Sequence, residues 1–312
     1  MTLESSHLPI ARDAAPPKPV ISRQTSEILW AYAFIALPVI GFLVFAAGPM
    51  LASFYLSFTR YEVLSPPTFI GLDNYVKLFS TDLFVGKSMW NTVFYMLGIP
   101  VGMGLSLMLA LALNQKMRFQ GFFRTVYFLP SVCSLVALAL LWKWIYNAEY
   151  GLINTYLAMF GVANPPSWLD SPILVKPALI VMGVWGGLGY NMVLFLAALQ
   201  GVPRTLYEAA EIDGANAWQR FWNVTWPMIS PTTFFVAVMG VIGGFQNFDQ
   251  IFIMTRGGPE YESATYMIQL YQMGFQYFKM GYASAMAWVL AAIIMGITWF
   301  QFKASQRWVH ND

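Results

Sequence analysis

The chain's most distinctive group of polar and aromatic side chains lies between residues 201 and 227. Three acids, Glu208, Glu211 and Asp213, precede Gly214, and several tryptophan and phenylalanine residues follow it. Such a segment is suited to binding rather than catalysis. It could lie on lipid headgroups with its aromatic side chains as anchors, or it could dock a cytoplasmic partner. The acidic cluster favours docking, because anionic lipids attract cations and repel carboxylates.

Two short helices are predicted in this segment. Thr205 is a candidate N-cap, with Glu208 three residues later as its capping-box partner. Gly214 can end the first helix in the left-handed conformation, and Asn216 can cap a second helix. The second helix would carry an aromatic side formed by Trp218, Phe221 and Trp222.

Polar side chains within the predicted membrane depth form a second set of candidates. Burying a polar group in a bilayer costs free energy, so such a group is taken as a candidate for function. Amide and phenol groups can hydrogen-bond a polar solute, which makes a translocation path one interpretation. Helix caps and interhelical hydrogen bonds are the alternative. Asp249 is expected at the outer mouth, where water tolerates its charge. The candidates are Asn91, Tyr95, Tyr190, Asn191, Gln246, Asn247 and Asp249.

Catalytic, metal-binding and nucleotide-binding chemistry find little support in the sequence. The two histidines, His7 and His310, lie in the polar ends of the chain, and Cys133 is the single cysteine, inside an apolar run. Neither a histidine-based metal site within a span nor a cysteine cage can be built from them. Gly86-Lys87-Ser88 matches the end of a P-loop, but Thr81 stands where the first glycine belongs. The chain is therefore expected to hold no cofactor of its own.

The composition identifies the class of protein. Of 312 residues, 58% are hydrophobic and only 10% are charged, against roughly 25% charged in soluble domains. The mean hydropathy is +0.55. These values exclude a soluble enzyme, a disordered chain and a disulfide scaffold. The net charge of +2 offers no footprint for nucleic acid. A polytopic, all-α membrane protein embedded in the lipid bilayer remains.

Charge-free runs of about 20 residues predict six transmembrane helices. Ten of the 17 lysine and arginine residues fall in segments that lie inside if the N-terminus is inside, and both termini are therefore expected to be cytoplasmic. The predicted organisation is a cytoplasmic tail (1–27), a six-helix domain (28–305) containing the loop 201–227, and a cytoplasmic tail (306–312). The predicted spans are 29–55, 91–113, 125–142, 177–199, 227–248 and 280–302.

The loop also carries a family resemblance. Glu208-Ala209-Ala210, followed by Gly214 and then Pro227, resembles the EAA loop of ABC importer permeases, and Glu208 through Ala215 resembles its fuller form in carbohydrate permeases. Val224 and Trp226 depart mildly from the family pattern. Two further stretches, from Phe123 to Trp144 and from Phe248 to Pro259, are similar to the maltose-type and glycerol-phosphate-type permease that begins the usual pair. The resemblance covers roughly residues 30–305.

This resemblance implies a type I importer permease fold in the bacterial cytoplasmic (inner) membrane. The chain would form half of a pathway for a sugar, oligosaccharide or polyol-phosphate, with a second homologous permease as the other half. Two separate ATPase subunits would bind ATP and Mg²⁺, and an extracytoplasmic solute-binding protein would deliver the solute. The residues expected at the ATPase contact are Glu208, Ala209, Ala210, Asp213, Gly214, Ala215, Trp218 and Phe221.

Two other classes of protein are less consistent with the sequence. A secondary transporter would need charges within the spans or broken half-helices at corresponding positions, and the charges here lie outside the predicted spans. An intramembrane enzyme would need an activated nucleophile or a metal cluster, and no histidine lies in a predicted span.

Overall fold

A computed structural model describes residues 23–115 and 117–309. The chain divides into two compact units, Met1–Ser53 and Phe54–Asp312. Most of the predicted N-terminal tail and the last three residues of the predicted C-terminal tail lie outside the described residues, as do both histidines.

The first unit contains helix α1 (Arg23–Phe42), which passes through Pro38, and a π-helical turn (Leu43–Ala47). Helix α2 (Gly48–Ser57) follows directly, and its last four residues belong to the second unit. The apolar helix runs over 34 residues, Gln24–Ser57. It is about 51 Å long at 1.5 Å per residue, and so exceeds the roughly 30 Å of a bilayer core. The helix is therefore long enough to span the membrane with turns to spare at its ends.

The second unit is helical apart from one short hairpin, and its helices include π-helical turns at Phe221–Thr225 and Gln272–Gln276. Its elements are β1 (Thr59–Arg60), β2 (Thr68–Phe69), α3 (Asp73–Ser80), α4 (Leu83–Tyr95), α5 (Gly98–Asn114), α6 (Gln120–Val132), α7 (Leu135–Ile145), α8 (Leu152–Met159), α9 (Val175–Gly201), α10 (Arg204–Ile212), α11 (Ala217–Arg220), α12 (Trp226–Phe245), α13 (Asp249–Met254), α14 (Tyr266–Tyr271) and α15 (Met280–Ser305).

Within the described residues, five helices are long and apolar enough to cross a membrane, and a bent helix pair makes a sixth span when it is counted as one. The predicted all-α fold with six spans is therefore confirmed in this form. The five straight spans are Gln24–Ser57, Leu83–Asn114, Val175–Gly201, Ala217–Phe245 and Met280–Ser305.

The third span differs from the straight helix that its apolar run predicts. Helices α6 and α7 meet at an angle of 99°. Pro130, in the last turn of α6, lacks the donor that would continue the helix. Cys133 and Ser134 then adopt extended backbone conformations with ψ of 149° and 129°. An apolar run indicates that its residues are buried or face lipid, but it does not indicate a bend between two helices.

Close helix packing centres on α9. A Cβ atom at Gly189 would lie 2.1 Å from the backbone oxygen of Tyr127 in α6, so only glycine fits at this crossing. A Cβ atom at Gly98 in α5 would lie 3.1 Å from the side-chain Cγ2 of Ile180 in α9, which is a tight contact but a less severe one. Gly187 meets nothing within 4 Å. The glycines of these helices thus include both packing positions and a position that stays open.

Candidate functional site

The loop after α9 folds as a helix, a tight turn and a second helix. Helix α10 begins at Arg204, with Pro203 at its N-cap and no side-chain cap. Thr205 therefore lies inside the helix, and its prediction as the N-cap is wrong, because proline already fixes the preceding backbone. Gly214 has φ of +76°, as predicted for the left-handed end. The nitrogen of Ala215 donates to the oxygen of Ala210 at 2.9 Å, which completes a Schellman cap.

Asn216 caps the second helix, as the sequence predicts. Its Oδ1 accepts from the nitrogen of Gln219 at 2.9 Å, while Gln219 Oε1 accepts from the nitrogen of Asn216 at 2.8 Å. This helix is not separate, however. It continues without interruption through α11, the π-helical turn and α12 over Ala217–Phe245. The fifth span therefore begins inside the loop, ten residues earlier than predicted.

Side-chain contacts hold the two helices of the loop together. The guanidinium of Arg220 forms an ion pair with Glu211. The hydroxyls of Tyr207 and Thr225 hydrogen-bond at 2.9 Å. The helix–turn–helix is therefore a built unit whose shape does not depend on a partner.

A groove of about 460 Å³ runs along this unit and is lined by Ala209, Ala210, Asp213, Gly214 and Ala215. Five of the eight predicted contact residues thus come together in one concave surface. The remaining three lie outside the groove lining: Glu208 is exposed, and Trp218 and Phe221 belong to an aromatic cluster with Trp222 and Trp226. Trp218 is 69% exposed, which is a large apolar surface to leave in water.

An inner cavity of about 320 Å³ lies among α4, α5, α9 and α12. Four predicted path residues line it, namely Tyr95, Tyr190, Asn191 and Asn247. Glycines from three helices form part of the remaining wall, which leaves room where larger side chains would fill the space. The cavity therefore has a mixed lining of amide and phenol groups on an apolar background.

Three predicted candidates, Asn91, Gln246 and Asp249, do not line this cavity. Gln246 and Asp249 are both exposed, and Gln250 occupies the cavity wall instead. Helix α12 ends at Phe245 and α13 begins at Asp249, so the helical phase restarts between them. A helix face of α12 therefore does not continue into α13. Gln250 is buried, and its Nε2 donates to the oxygen of Leu179 at 2.6 Å.

Two other polar candidates serve structural contacts. The hydroxyl of Tyr95 donates to the oxygen of Ser263 at 3.2 Å, although its ring still lines the cavity. Asn91 is almost fully buried and donates to the oxygens of Tyr261 and Ala264, each at 3.0 Å. It fastens α4 to the segment that follows α13.

An ion network that the sequence reading missed lies beside Asn91. Glu262 binds Lys176 at 2.7 Å and Lys87 at 3.0 Å, and Lys176 also donates to Asn91 Oδ1 at 3.0 Å. Hydrogen bonds from Lys176 and then Lys87 hold the pKa of the Glu262 carboxyl below its ordinary value. These three residues are far apart in the sequence, and the opposite charges of Glu262 and the two lysines are the only sequence signal that they could pair. The network joins α4, α9 and the loop after α13.

Among residues 23–115 and 117–309, no cluster of three or more histidine, cysteine, aspartate or glutamate residues could hold a metal ion.

Comparison with known proteins agrees with this architecture. Residues 99–310 match the family described as binding-protein-dependent transport system inner membrane component. The chain is 40% identical over 288 residues to the probable ABC transporter permease protein YesP of Bacillus subtilis, covering 91% of this chain and 93% of that protein. It is 34% identical to the lactose transport system permease protein LacF of Rhizobium radiobacter, covering 89% and 93%.

A solved structure has the same fold. It is a bacterial alginate ABC transporter in complex with an alginate pentasaccharide-bound periplasmic protein, with a TM-score of 0.81 and 25% identity, covering 91% of this chain and 96% of that one. The chain belongs to the family of binding-protein-dependent transport system inner membrane components. It is a multi-pass inner-membrane permease subunit of an ABC importer with the type I permease fold, and its expected family is confirmed.

Proposed function

We propose that this permease forms half of the translocation pathway for an uncharged sugar or oligosaccharide, with a second homologous permease as the other half. The observation that carries the proposal is the lining of the inner cavity. Tyr190, Asn191, Asn247 and Gln250 offer donors and acceptors for hydroxyl groups, and no charged side chain of the described residues lines the cavity. A sugar and its hydroxyls suit this lining.

The same lining weighs against a polyol-phosphate. A phosphate group is normally held by arginine, lysine or a helix N-terminus, because its charge must be balanced when it leaves water. The lactose permease LacF, at 34% identity, supports a carbohydrate as the solute. The alginate transporter shows that a relative with this fold receives its oligosaccharide from a periplasmic protein, and a solute-binding protein is proposed here as well.

Coupling to ATP is proposed to run through the groove of the loop 201–227. Two ATPase subunits would bind ATP and Mg²⁺, and one of them would receive this loop in a cleft. The groove residues Ala209, Ala210 and Ala215 are small, so a partner side chain can enter between the helices, while exposed Asp213 supplies a charge at its edge. ATP-driven closure of the ATPases would then shift the spans between inward-open and outward-open states.

Uptake by the purified importer tests the solute. The complex is isolated from its native host through a tag on this chain and reconstituted into proteoliposomes with ATP inside. Lactose, maltotriose and arabinotriose are compared with glycerol 3-phosphate. ATP-dependent uptake of at least one neutral sugar, and none of the phosphate, is the expected result. Uptake of glycerol 3-phosphate alone would contradict the proposed solute, and uptake without ATP would contradict the importer mechanism.

Charge reversal tests the ATPase contact. Asp213→Lys is expected to leave insertion intact and to reduce ATP-dependent uptake more than about tenfold, since ~1.4 kcal/mol of lost docking corresponds to a factor of ten. Thr205→Lys is the matched control, because it adds the same cation on the same loop outside the groove lining. Equal uptake by the two variants would show that the groove does not contact the ATPase.

A further inference from the structure

A second and larger cavity, of about 570 Å³, is lined by residues at the end of the third span and in the segments that follow the third and fifth spans. The distribution of lysine and arginine predicts that these segments are extracytoplasmic. The cavity walls come from two sequence stretches that the inner cavity and the docking loop leave unused, the end of the third span around Lys143 and the segment from Thr255 to Pro259. The chain brings them together although more than 100 residues separate them. We call this space the outer cavity. Its remaining lining residues are Tyr146, Asn147, Ala148, Glu149, Tyr150, Leu169, Asp170 and Met254.

The walls of the outer cavity are held in place by hydrogen bonds. Asn147 Oδ1 accepts from the nitrogens of Glu149 and Tyr150 at 2.9 and 3.0 Å, which fixes the turn carrying those two residues. On the opposite wall, Thr255 Oγ1 hydrogen-bonds Ser263 Oγ at 2.7 Å. These walls therefore keep their shape without an occupant.

The charged groups of the outer cavity are available for a ligand. Lys143, Glu149 and Asp170 line it, are exposed, and form no ion pair with another described residue. Tyr150 is 63% exposed and presents an aromatic face beside them. Carboxylates accept hydrogen bonds from hydroxyl pairs, an ammonium group donates to them, and an aromatic ring packs on the apolar face of a sugar. The combination suits a neutral polyhydroxyl compound.

One buried apolar layer separates this cavity from the inner one. Tyr146 and Met254 line the outer cavity, Leu179 lines the inner cavity, and these three residues together with Ile251 belong to one cluster exposed by 4% or less. The outer and inner cavities therefore share this buried cluster as a common wall.

We propose that the outer cavity is a binding subsite for the transported carbohydrate, occupied before the solute passes the apolar layer. This inference rests on the proposed function and adds a second binding position to the proposed translocation pathway. The volume lies within the roughly 300–1,000 Å³ of small-molecule sites, and the three charged groups sum to −1, which disfavours an acidic solute. A loop of the solute-binding protein is the competing occupant, and the experiment below distinguishes it from the sugar.

Cysteine protection in the intact importer tests the subsite. The reporter is Ala148→Cys in a Cys133→Ser background, because Ala148 lines the outer cavity with a single methyl group and Cys133 is the chain's one native thiol. Ala158→Cys is the matched control, since Ala158 lies in nearby α8, is exposed and is not among the cavity residues. Maleimide labelling is followed in nanodiscs without ATP, with lactose, maltotriose and arabinotriose as probes.

We expect at least one sugar to slow labelling of the reporter about fourfold at three times its dissociation constant, and to leave the control unchanged. Tyr150→Ala is expected to raise the sugar concentration required about threefold to tenfold, from the loss of aromatic packing. Tyr156→Ala, an exposed tyrosine of α8 outside the cavity lining, is expected to leave it unchanged.

Three results would overturn the inference. The first is that no sugar slows labelling of the reporter, and the second is that a sugar slows labelling of the reporter and the control equally. The third is that the binding protein without sugar slows labelling of the reporter while the sugars alone do not. The uptake assay on the unmodified complex is independent of these results. Neutral-sugar uptake without protection overturns the subsite alone, whereas absent sugar uptake overturns the proposed function.

Discussion

Gly189→Ala tests the packing of the third and fourth spans. A Cβ atom at this position would lie 2.1 Å from the oxygen of Tyr127 and 2.7 Å from the Cα of Phe128. Both are backbone atoms, so no side-chain rotation relieves the clash. An ordinary contact of 3.4 Å requires the two helices to separate by about 1.3 Å. Overpacking costs up to ~3 kcal/mol, and alanine recovers ~1 kcal/mol of helix propensity. The expected net loss in the free energy of unfolding is about 2 kcal/mol.

The assay is reversible unfolding of the detergent-solubilised subunit by SDS, followed by tryptophan fluorescence. Gly186→Ala is the control, since it adds the same methyl group to the same helix and meets nothing within 4 Å. It is expected to match or slightly exceed the stability of the parent. Gly189→Ala should also slow uptake, because Tyr190 and Asn191 follow directly in α9 and move with it. Equal stability of the two variants would refute the assignment of Gly189 as the contact point.

Three further predictions concern the ion network and the docking loop. Glu262→Gln removes the carboxylate that pairs with Lys176, whose side chain is only 13% exposed, and should lower the free energy of unfolding by ~2–3 kcal/mol. Lys87→Gln, at a side chain that is 38% exposed, should lower it by less than ~1 kcal/mol. Equal losses of unfolding free energy in the two variants would contradict this difference in burial. Because the pKa of Glu262 is lowered in the folded protein, its contribution to stability is complete above the pKa of the unfolded chain and is lost as the pH falls through the pKa of the folded protein. The stability deficit of Glu262→Gln should therefore shrink on acidification. A deficit that is constant between pH 7 and pH 3 would exclude this linkage. Asn216→Ala removes the capping box and should lower the free energy of unfolding by about 1 kcal/mol. It should also slow the binding of a labelled ATPase subunit to the importer. Asn216→Asp is expected to restore both the stability and the binding rate.

The sequence predicts most of the fold because bilayer crossing imposes a strong and simple signal. Charge-free runs locate the six spans, and glycine and asparagine locate the turn and the cap of the docking loop at Gly214 and Asn216. Each of these rests on a local rule that tertiary structure does not override. Thr205 was the exception, because Pro203 terminates the preceding segment and starts the helix earlier.

The features that the sequence did not predict depend on contacts between distant segments. Gln250, which the sequence reading did not select, lines the inner cavity, whereas Gln246 does not, because the break before α13 resets the helical phase. Asn91 has the composition of a path residue, but its partners are the oxygens of Tyr261 and Ala264, some 170 residues away. Neither outcome is visible in hydropathy or spacing, since both are set by how helices are placed in space.

The uninterrupted helix Ala217–Phe245 has a mechanical consequence. Its 29 residues span about 43 Å at 1.5 Å per residue, and they connect the docking groove to the wall of the inner cavity at Val236, Met239 and Gly240. The helix acts as a lever: a tilt of ~10° about its cytoplasmic end displaces the far end by roughly 7 Å, more than one helical turn. Under the proposed coupling to an ATPase, a small rotation of the cytoplasmic end would thereby be amplified at the cavity.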